Sequence, residues 1–138
     1  MIRVVLDTNV LASATIVERG TSARILQAWF KGEVTLITSP ALLKELHEVL
    51  ERPRIKKRQW LTSAQVARLL LHLGTRATQA SSALLVRGIT PDPDDDYVLS
   101  AAVEQRADYI VTGDQDLLDL GEYEGILITT PAIFARLV

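Results

Sequence analysis

The sequence predicts an α/β fold, a three-layer sandwich with a mostly parallel central sheet flanked by helices. Short apolar runs rich in Val and Ile alternate with longer segments whose apolar residues recur at helical spacing. Continuous apolar runs are typical of strands that are buried on both faces of a parallel sheet. The chain has 138 residues without an internal repeat or a linker, so we expect a single domain over residues 1–138.

The first half of the chain contains two predicted strands and three predicted helices. The strands are β-branched runs at residues 2–6, which stop at Asp7, and 34–38. Each helix starts at capping residues and stops at a glycine or before a proline. These helices run from Thr8 or Asn9 up to Gly20, from Thr21 or Ser22 to about Phe30, and from Ser39 and Pro40 to about Glu51.

The second half continues the alternation. Predicted strands lie at residues 82–87 (SALLVR), 109–112 and 126–129. Acids are favourable at the positive end of a helix, so the acidic residues 94–96 are expected to begin a helix that runs to about Gln105. The other predicted helices run from Thr62 or Ser63 through Leu73, from Gln115 to Leu120, and from Thr130 and Pro131 to Leu137.

Composition excludes several classes of protein. The chain has no cysteine, which excludes a disulfide framework, a thiolate nucleophile and a cysteine-ligated zinc site. The formal net charge of −2 is too close to zero to indicate a nucleic-acid partner from bulk charge alone. No apolar run reaches the ~18 residues of a membrane span, and the first residues show no signal-peptide pattern. We therefore expect a soluble, cytoplasmic protein with no membrane partner.

Carboxylates recur where the predicted strands end. Asp7 follows the first strand directly, and Asp114 follows the strand at 109–112. The acidic run at 92–96 lies just before that strand, and Glu45 lies beside the apolar stripe of its helix. Ligands of open α/β sheets bind at the carboxyl ends of the strands. We therefore expect these four stretches to meet at one edge of the sheet.

A divalent cation is the usual reason for a fold to gather carboxylates, which otherwise repel one another. Mg²⁺ takes oxygen ligands and is bound through a few carboxylates and substrate phosphate. In a nuclease such an ion activates a water, so no side-chain nucleophile is needed. The sequence thus predicts Mg²⁺ or Mn²⁺ as cofactor and phosphodiester hydrolysis as reaction. Side chains expected to support the ligands are Thr8, Asn9, Ser39, Asp92, Thr112 and Asp116.

Three blocks, VVLDTNVL, SPALLKELHEVL and DPDDDYVLSAAVEQRADYIVTGDQDLL, resemble the PIN-domain family over nearly the whole chain. This family is the ribonuclease fold of many bacterial and archaeal toxin–antitoxin toxins of the VapC-like type. The resemblance implies a Mg²⁺- or Mn²⁺-dependent endoribonuclease that is commonly dimeric and often held inactive by a cognate antitoxin. It also implies the successive site acids Asp7, Glu45, Asp95 or Asp96, and Asp114.

We expect Asp7, Asp114 and one of the adjacent pair Asp95 and Asp96 to hold the metal. The DPxD pattern favours Asp95, which is the preferred ligand, whereas the spacing to VTGD favours Asp96. Glu45 is expected to complete the set of ligands or to orient the attacking water. All five acids are therefore candidate catalytic residues.

Each acid also has a purely structural explanation. Asp7 is positioned to cap a helix, Glu45 to be an ordinary exposed helix residue, and residues 92–96 to be a solvated loop. The alternative function is a non-catalytic PIN-fold module that binds RNA or a partner protein. A haloacid-type phosphatase is disfavoured, because it needs a second aspartate at the position of Asn9. A receiver domain is disfavoured because no lysine follows the late strand.

Five basic residues follow the helix that carries Glu45, namely Arg52, Arg54, Lys56, Lys57 and Arg58. Lys and Arg make most contacts to phosphate, and an aromatic ring such as that of Trp60 stacks on bases, so this segment is a candidate RNA-binding surface. The alternative is a solvated connection between helices. His47 and His72 are expected at the surface or the core edge. The apolar positions Leu69–Leu73 would suit a two-fold contact between copies.

Overall fold

The computed structural model describes all residues from Met1 to Val138. The strands are β1 (Arg3–Leu6), β2 (Thr35–Thr38), β3 (Thr78–Gln79), β4 (Tyr109–Val111), β5 (Glu122–Tyr123) and β6 (Ile126–Thr129). The helices are α1 (Thr8–Ile16), α2 (Thr21–Phe30), α3 (Pro40–Leu50), α4 (Pro53–Lys56), α5 (Ser63–Thr75), α6 (Asp95–Glu104), α7 (Gln115–Leu120) and α8 (Pro131–Phe134). A 3₁₀ turn over Ala135–Leu137 follows the last helix.

The six strands form one sheet in the order β3-β2-β1-β4-β6-β5. Every neighbouring pair is parallel except the β5–β6 hairpin. The two central strands, β1 and β4, are paired from Val4 opposite Tyr109 to Leu6 opposite Val111. Their carboxyl ends therefore lie side by side, and the mostly parallel sheet predicted from the sequence is confirmed.

The two faces of the sheet are covered by separate cores, because alternate residues of a strand point to opposite faces. Val4 and Leu6 pack with α1, α2, α3, α5 and α8, whereas Val5 packs mainly with α6 and α7. This arrangement confirms the three-layer sandwich. Leu69 and Leu73 of α5 are buried in the first core, so the expected two-fold contact through Leu69–Leu73 is wrong for these two residues.

Capping side chains fix several helix starts. Asp7 caps α1, and Ser39 caps α3 by accepting a hydrogen bond from a backbone N–H of its first turn. Thr62 and Gln65 form a capping box on α5. The predicted starts of α3 and α5 are confirmed. No helix combines the length and the apolar character that a bilayer crossing requires.

The predicted strand at residues 82–87 is wrong. Residues 81–94, which we name the α6-bound loop, run along α6 and do not join the sheet. The strand next to β2 is instead the two-residue β3. The last helix also ends earlier than predicted, at Phe134.

Polar side chains of α6 hold the α6-bound loop. They are spaced one helical turn apart, and the pairs are Glu104 with Ser81, Ser100 with Val86, and Asp96 with Gly88. The Ser100 hydroxyl accepts from the Val86 N–H at 3.0 Å and lies 3.3 Å from the Val86 carbonyl oxygen. A strand needs these backbone groups for its neighbour, and here the helix satisfies them instead.

Candidate metal centre

An acidic pocket of about 490 Å³ lies at the edge of the sheet where β1 and β4 end. Arg52 is the only basic residue in its lining. Six carboxylates line it, namely Asp7, Glu45, Asp92, Asp94, Asp95 and Asp114. The four acidic stretches that are separated in the sequence thus meet in one place.

Asp7 is buried and tightly held at the end of β1. Its Oδ1 accepts a hydrogen bond from the Thr8 N–H at 2.7 Å, and its Oδ2 accepts one from the Thr112 hydroxyl at 2.7 Å. The Asn9 side-chain amide donates to the same Oδ2 at 3.3 Å. Asp7 therefore caps α1 and also lines the pocket. Its role as a helix cap and its expected role as a metal ligand are compatible.

The turn after β4 places Asp114 opposite Asp7. The Asp114 N–H donates to the Thr112 hydroxyl oxygen at 2.9 Å, while that hydroxyl donates to Asp7. The Gly113 N–H donates to the Asn9 side-chain oxygen at 3.2 Å. Thr112 and Asn9 thus connect the ends of the two strands and fix the relative positions of their acids.

Asp95, the first residue of α6, completes the deepest part of the site. It is buried, and its Oδ2 accepts a hydrogen bond from the Thr90 hydroxyl at 2.7 Å. One carboxylate oxygen from each of Asp92, Asp95 and Asp114 lies within 4.8 Å of the other two. Three acids on three different segments are therefore close enough to share one ion.

Crowding of negative charge changes the pKa of three of these acids. Burial raises the pKa of Asp7, and the charges of Asp114 and Asp92 raise it further, against hydrogen bonds that lower it. Burial, followed by the charges of Asp94 and Asp7, raises the pKa of Glu45. Burial and the neighbouring Asp114 carboxylate raise the pKa of Asp95 to about 7, although the Thr90 hydrogen bond opposes them. The raised pKa values show that burial and mutual repulsion disfavour the ionised carboxylates, and a bound cation would favour them.

The residues present fit a hard divalent cation. Every acidic ligand candidate offers oxygen, and no histidine lies in the lining. The Thr8 hydroxyl in the same lining is buried and lies beside the Glu45 carboxylate, whose pKa it lowers against the effect of burial.

The sequence model of one family, described as the PIN domain, matches residues 3–116. This chain belongs to the PIN-domain family. An archaeal relative, the uncharacterized protein MJ1680 of Methanocaldococcus jannaschii, is 31% identical to this PIN domain over 119 residues. The match covers 86% of this chain and 75% of that protein. PIN domains are generally nucleases, which agrees with a hydrolase acting on nucleic acid.

One solved structure similar to this PIN domain is the crystal structure of VapBC2 from Rickettsia felis bound to a DNA fragment from their promoter. The two chains share 16% sequence identity with a TM-score of 0.57. The similarity covers 94% of this chain and 98% of the other. At this identity the similarity shows a common fold.

Asp96, Asp116 and Ser39 are predicted site residues that lie outside the pocket lining of this PIN domain. The Asp96 Oδ1 accepts a hydrogen bond from the Gly88 N–H at 3.1 Å, in the α6-bound loop. Asp116 is exposed, and its N–H donates to Asp114 at 3.2 Å. Ser39 is buried as the cap of α3. Of the other predicted supporting residues, Thr8, Asn9 and Asp92 line the pocket, and Thr112 contacts its acids.

The basic segment forms α4 and its flanks. All five basic side chains are exposed, and only Arg52 lines the acidic pocket. Lys56 makes an ion pair with Glu51 at 2.8 Å. Trp60 is anchored to α1, because its indole N–H donates to the Ala14 carbonyl oxygen at 3.0 Å. The segment is therefore a fixed connection that presents cations to solvent beside the pocket.

Two residues of the site, Asp94 and Thr90, were not assigned a ligand or supporting role from the sequence. Asp94 lines the pocket, but the sequence placed it only in the acidic run and at a helix start. Thr90 holds Asp95, and its position two residues before Asp92 is a signal for a hydroxyl-containing turn. The two histidines, exposed His47 and half-buried His72, lie outside the pocket as expected.

Proposed function

We propose that this PIN domain is a Mg²⁺- or Mn²⁺-dependent endoribonuclease. The observation that carries the proposal is the approach of Asp92, Asp95 and Asp114 to within 4.8 Å, in a pocket that Asp7 also lines. Asp7, Asp95 and Asp114 would hold the ion. When bound, the ion lowers the pKa of a coordinated water and neutralises charge that develops on the leaving oxygen.

The protein's own groups have distinct roles in this proposal. Asp7 is held rigidly by Thr8 and Thr112, so its carboxylate keeps one orientation during the reaction. Glu45 lines the same pocket from α3 and is not one of the three acids that approach to within 4.8 Å, so its carboxylate is free to accept a proton from water. Glu45 is therefore assigned to orient and deprotonate the attacking water.

Arg52 and the basic segment are assigned to the RNA backbone. An acidic pocket repels a polyanion, and Arg52 is the one lining residue that offsets this repulsion. Its guanidinium makes no ion pair within the protein, and Arg54, Lys57 and Arg58 make none either. Four unpaired cations beside one pocket favour phosphate contacts.

A test of the nuclease function compares wild-type protein with Asp7→Asn on mixed RNA in Mn²⁺. The expected result is endonucleolytic cleavage by the wild type, none in EDTA and a loss of at least about a hundredfold in Asp7→Asn. Asp116→Asn is the matched control, because Asp116 is exposed and outside the pocket. Equal cleavage by wild type and Asp7→Asn would exclude the assignment. RNA binding without cleavage or saturable Mn²⁺ stabilisation would indicate the non-catalytic module instead.

We further propose that the protein is the toxin of a toxin–antitoxin pair and forms a homodimer. The support is its family together with its fold similarity to VapBC2, which was crystallised with a DNA fragment from their promoter. Expression of the wild type, but not of Asp7→Asn, is expected to arrest growth, and co-expression of the product of a small adjacent gene is expected to restore it. Sedimentation of the purified protein tests the dimer.

A further inference from the structure

The α6-bound loop delivers one acid of the trio to the pocket. Asp92 lies near its carboxyl end and is exposed, so the surrounding helices do not bury it in place. Its carboxylate oxygen nevertheless lies within 4.8 Å of those of Asp95 and Asp114. Like charges at that distance repel, and a free loop would carry Asp92 outward into water. Something must hold it.

Hydrogen bonds from α6 supply that restraint along the whole loop. Glu104 binds Ser81 and Ser100 binds Val86, and the last pair before the site is Asp96 with the Gly88 N–H at 3.1 Å. Beyond that point the Thr90 hydroxyl, which donates to Asp95, also accepts from the Asp92 N–H at 3.3 Å. The loop is therefore held against α6 at two points before Asp92, at Gly88 by Asp96 and at Thr90 by Asp95.

The carboxylates of Asp92 and Asp96 make different contacts. One oxygen of Asp92 accepts from the Asp94 N–H at 2.9 Å, and the other has no donor. Asp96 directs its Oδ1 at Gly88 and does not line the pocket. Adjacent residues of a helix point about 100° apart, so Asp95 and Asp96 face different surroundings.

We propose that Asp92 is a direct ligand of the metal ion, and that Asp96 is a positioning residue which holds Asp92 in place through the Gly88 N–H. This inference rests on the proposed metal-dependent function. It adds a fourth ligand, carried by the α6-bound loop, to Asp7, Asp95 and Asp114, and it makes Asp96 a hydrogen-bond acceptor whose negative charge is not required. An asparagine performs the task of an acceptor, but it does not replace a carboxylate ligand.

The test is Mn²⁺ binding by isothermal titration calorimetry on four single variants of the full chain. Asp92→Asn is expected to weaken Mn²⁺ binding by about tenfold or more, and Asp96→Ala by about tenfold. Asp96→Asn keeps the acceptor oxygen and is expected to bind within about threefold of wild type. Asp119→Asn is the matched control, because it removes the same charge from an exposed acid of α7 that lies outside the pocket lining, and it is also expected within about threefold.

The outcomes separate this inference from the proposed function. Wild-type affinity in Asp92→Asn, or equal losses in Asp96→Asn and Asp96→Ala, would overturn the inference while the metal site itself stands. An absence of Mn²⁺ binding by the wild type would instead remove the proposed function. Circular dichroism in EDTA checks that each variant is folded, and electron paramagnetic resonance of bound Mn²⁺ reports the change of ligand in Asp92→Asn.

Discussion

Removing the charge of Asp95 should stabilise the metal-free protein at alkaline pH. The pKa of this carboxyl is about 7 in the folded protein, against an ordinary value of 3.8. An acid whose pKa is raised by folding binds its proton more tightly in the folded state, so its contribution to stability is present at low pH and lost as the pH rises toward about 7. Between pH 5 and pH 8 the titration that Asp95 shares with the neighbouring Asp114 is expected to lower the free energy of unfolding by about 1–3 kcal/mol.

Urea denaturation in EDTA at pH 5 and pH 8 measures the effect. Wild type should lose at least this much over the interval, and Asp95→Asn should lose far less because an amide does not ionise. Asp7 and Glu45 also have raised pKa values, so a smaller loss of the same sign remains in the variant. Asp96→Asn, which changes the adjacent carboxylate, should follow the wild type.

Addition of Mn²⁺ at pH 8 should restore stability to the wild type, since the ion binds the ionised carboxylates of the folded state. Parallel pH dependences for wild type and Asp95→Asn would refute the reasoning. That result would mean that the Asp95 carboxyl is hydrated in solution and is not crowded against Asp114.

Three other substitutions test separate parts of the structure. Arg52→Gln should weaken RNA binding and lower the slope of log affinity against log salt by about one, as measured by fluorescence anisotropy. Lys56→Gln removes a cation that is already paired with Glu51, so its effect should be smaller. Ser100→Ala leaves a buried N–H of the α6-bound loop unpaired. Thermal unfolding should show a loss of about 1–3 kcal/mol in the free energy of unfolding, and Ser100→Thr, which keeps the hydroxyl, should show a smaller loss. Thr112→Val removes the donor to Asp7 and should weaken Mn²⁺ binding about tenfold, whereas Thr112→Ser keeps the hydroxyl; equal affinity in the two variants would contradict the assigned role.

The sheet could be predicted where an apolar run coincides with burial on both faces. Residues 2–6 met this condition, and the strand there was found at Arg3–Leu6. Residues 82–87 have a similar apolar composition, but only Val86 is fully buried and Leu85 is exposed. What decides between strand and loop is the partner of the backbone groups. That partner is Ser100, fourteen residues from Val86, and periodicity does not reveal it.

The chemistry of the pocket could be predicted from the acids at strand ends, since parallel strands bring their carboxyl ends together. The choice among neighbouring acids could not, because Asp95 and Asp96 are separated by a rotation around α6 and not by a difference in residue type. Which of them faces the pocket depends on the residue at which α6 begins. The closeness of Asp92 depends on the path of the α6-bound loop, of which the sequence had assigned residues 82–87 to a strand.

The hydrogen bonds to α6 divide the α6-bound loop into two portions that differ in how well they tolerate inserted residues. The stretch between Ser81 and Val86 is bonded to α6 only at its ends, and the Ser82 hydroxyl also accepts from the Ala41 N–H. Residues added between Ser82 and Val86 would therefore bulge outward, and lengthening such a connection is thermodynamically mild. The stretch from Gly88 to Asp92 has no such slack, since one extra residue would displace the carboxylate it carries. We therefore expect related PIN domains to differ in length in the first stretch and to keep a constant length in the second.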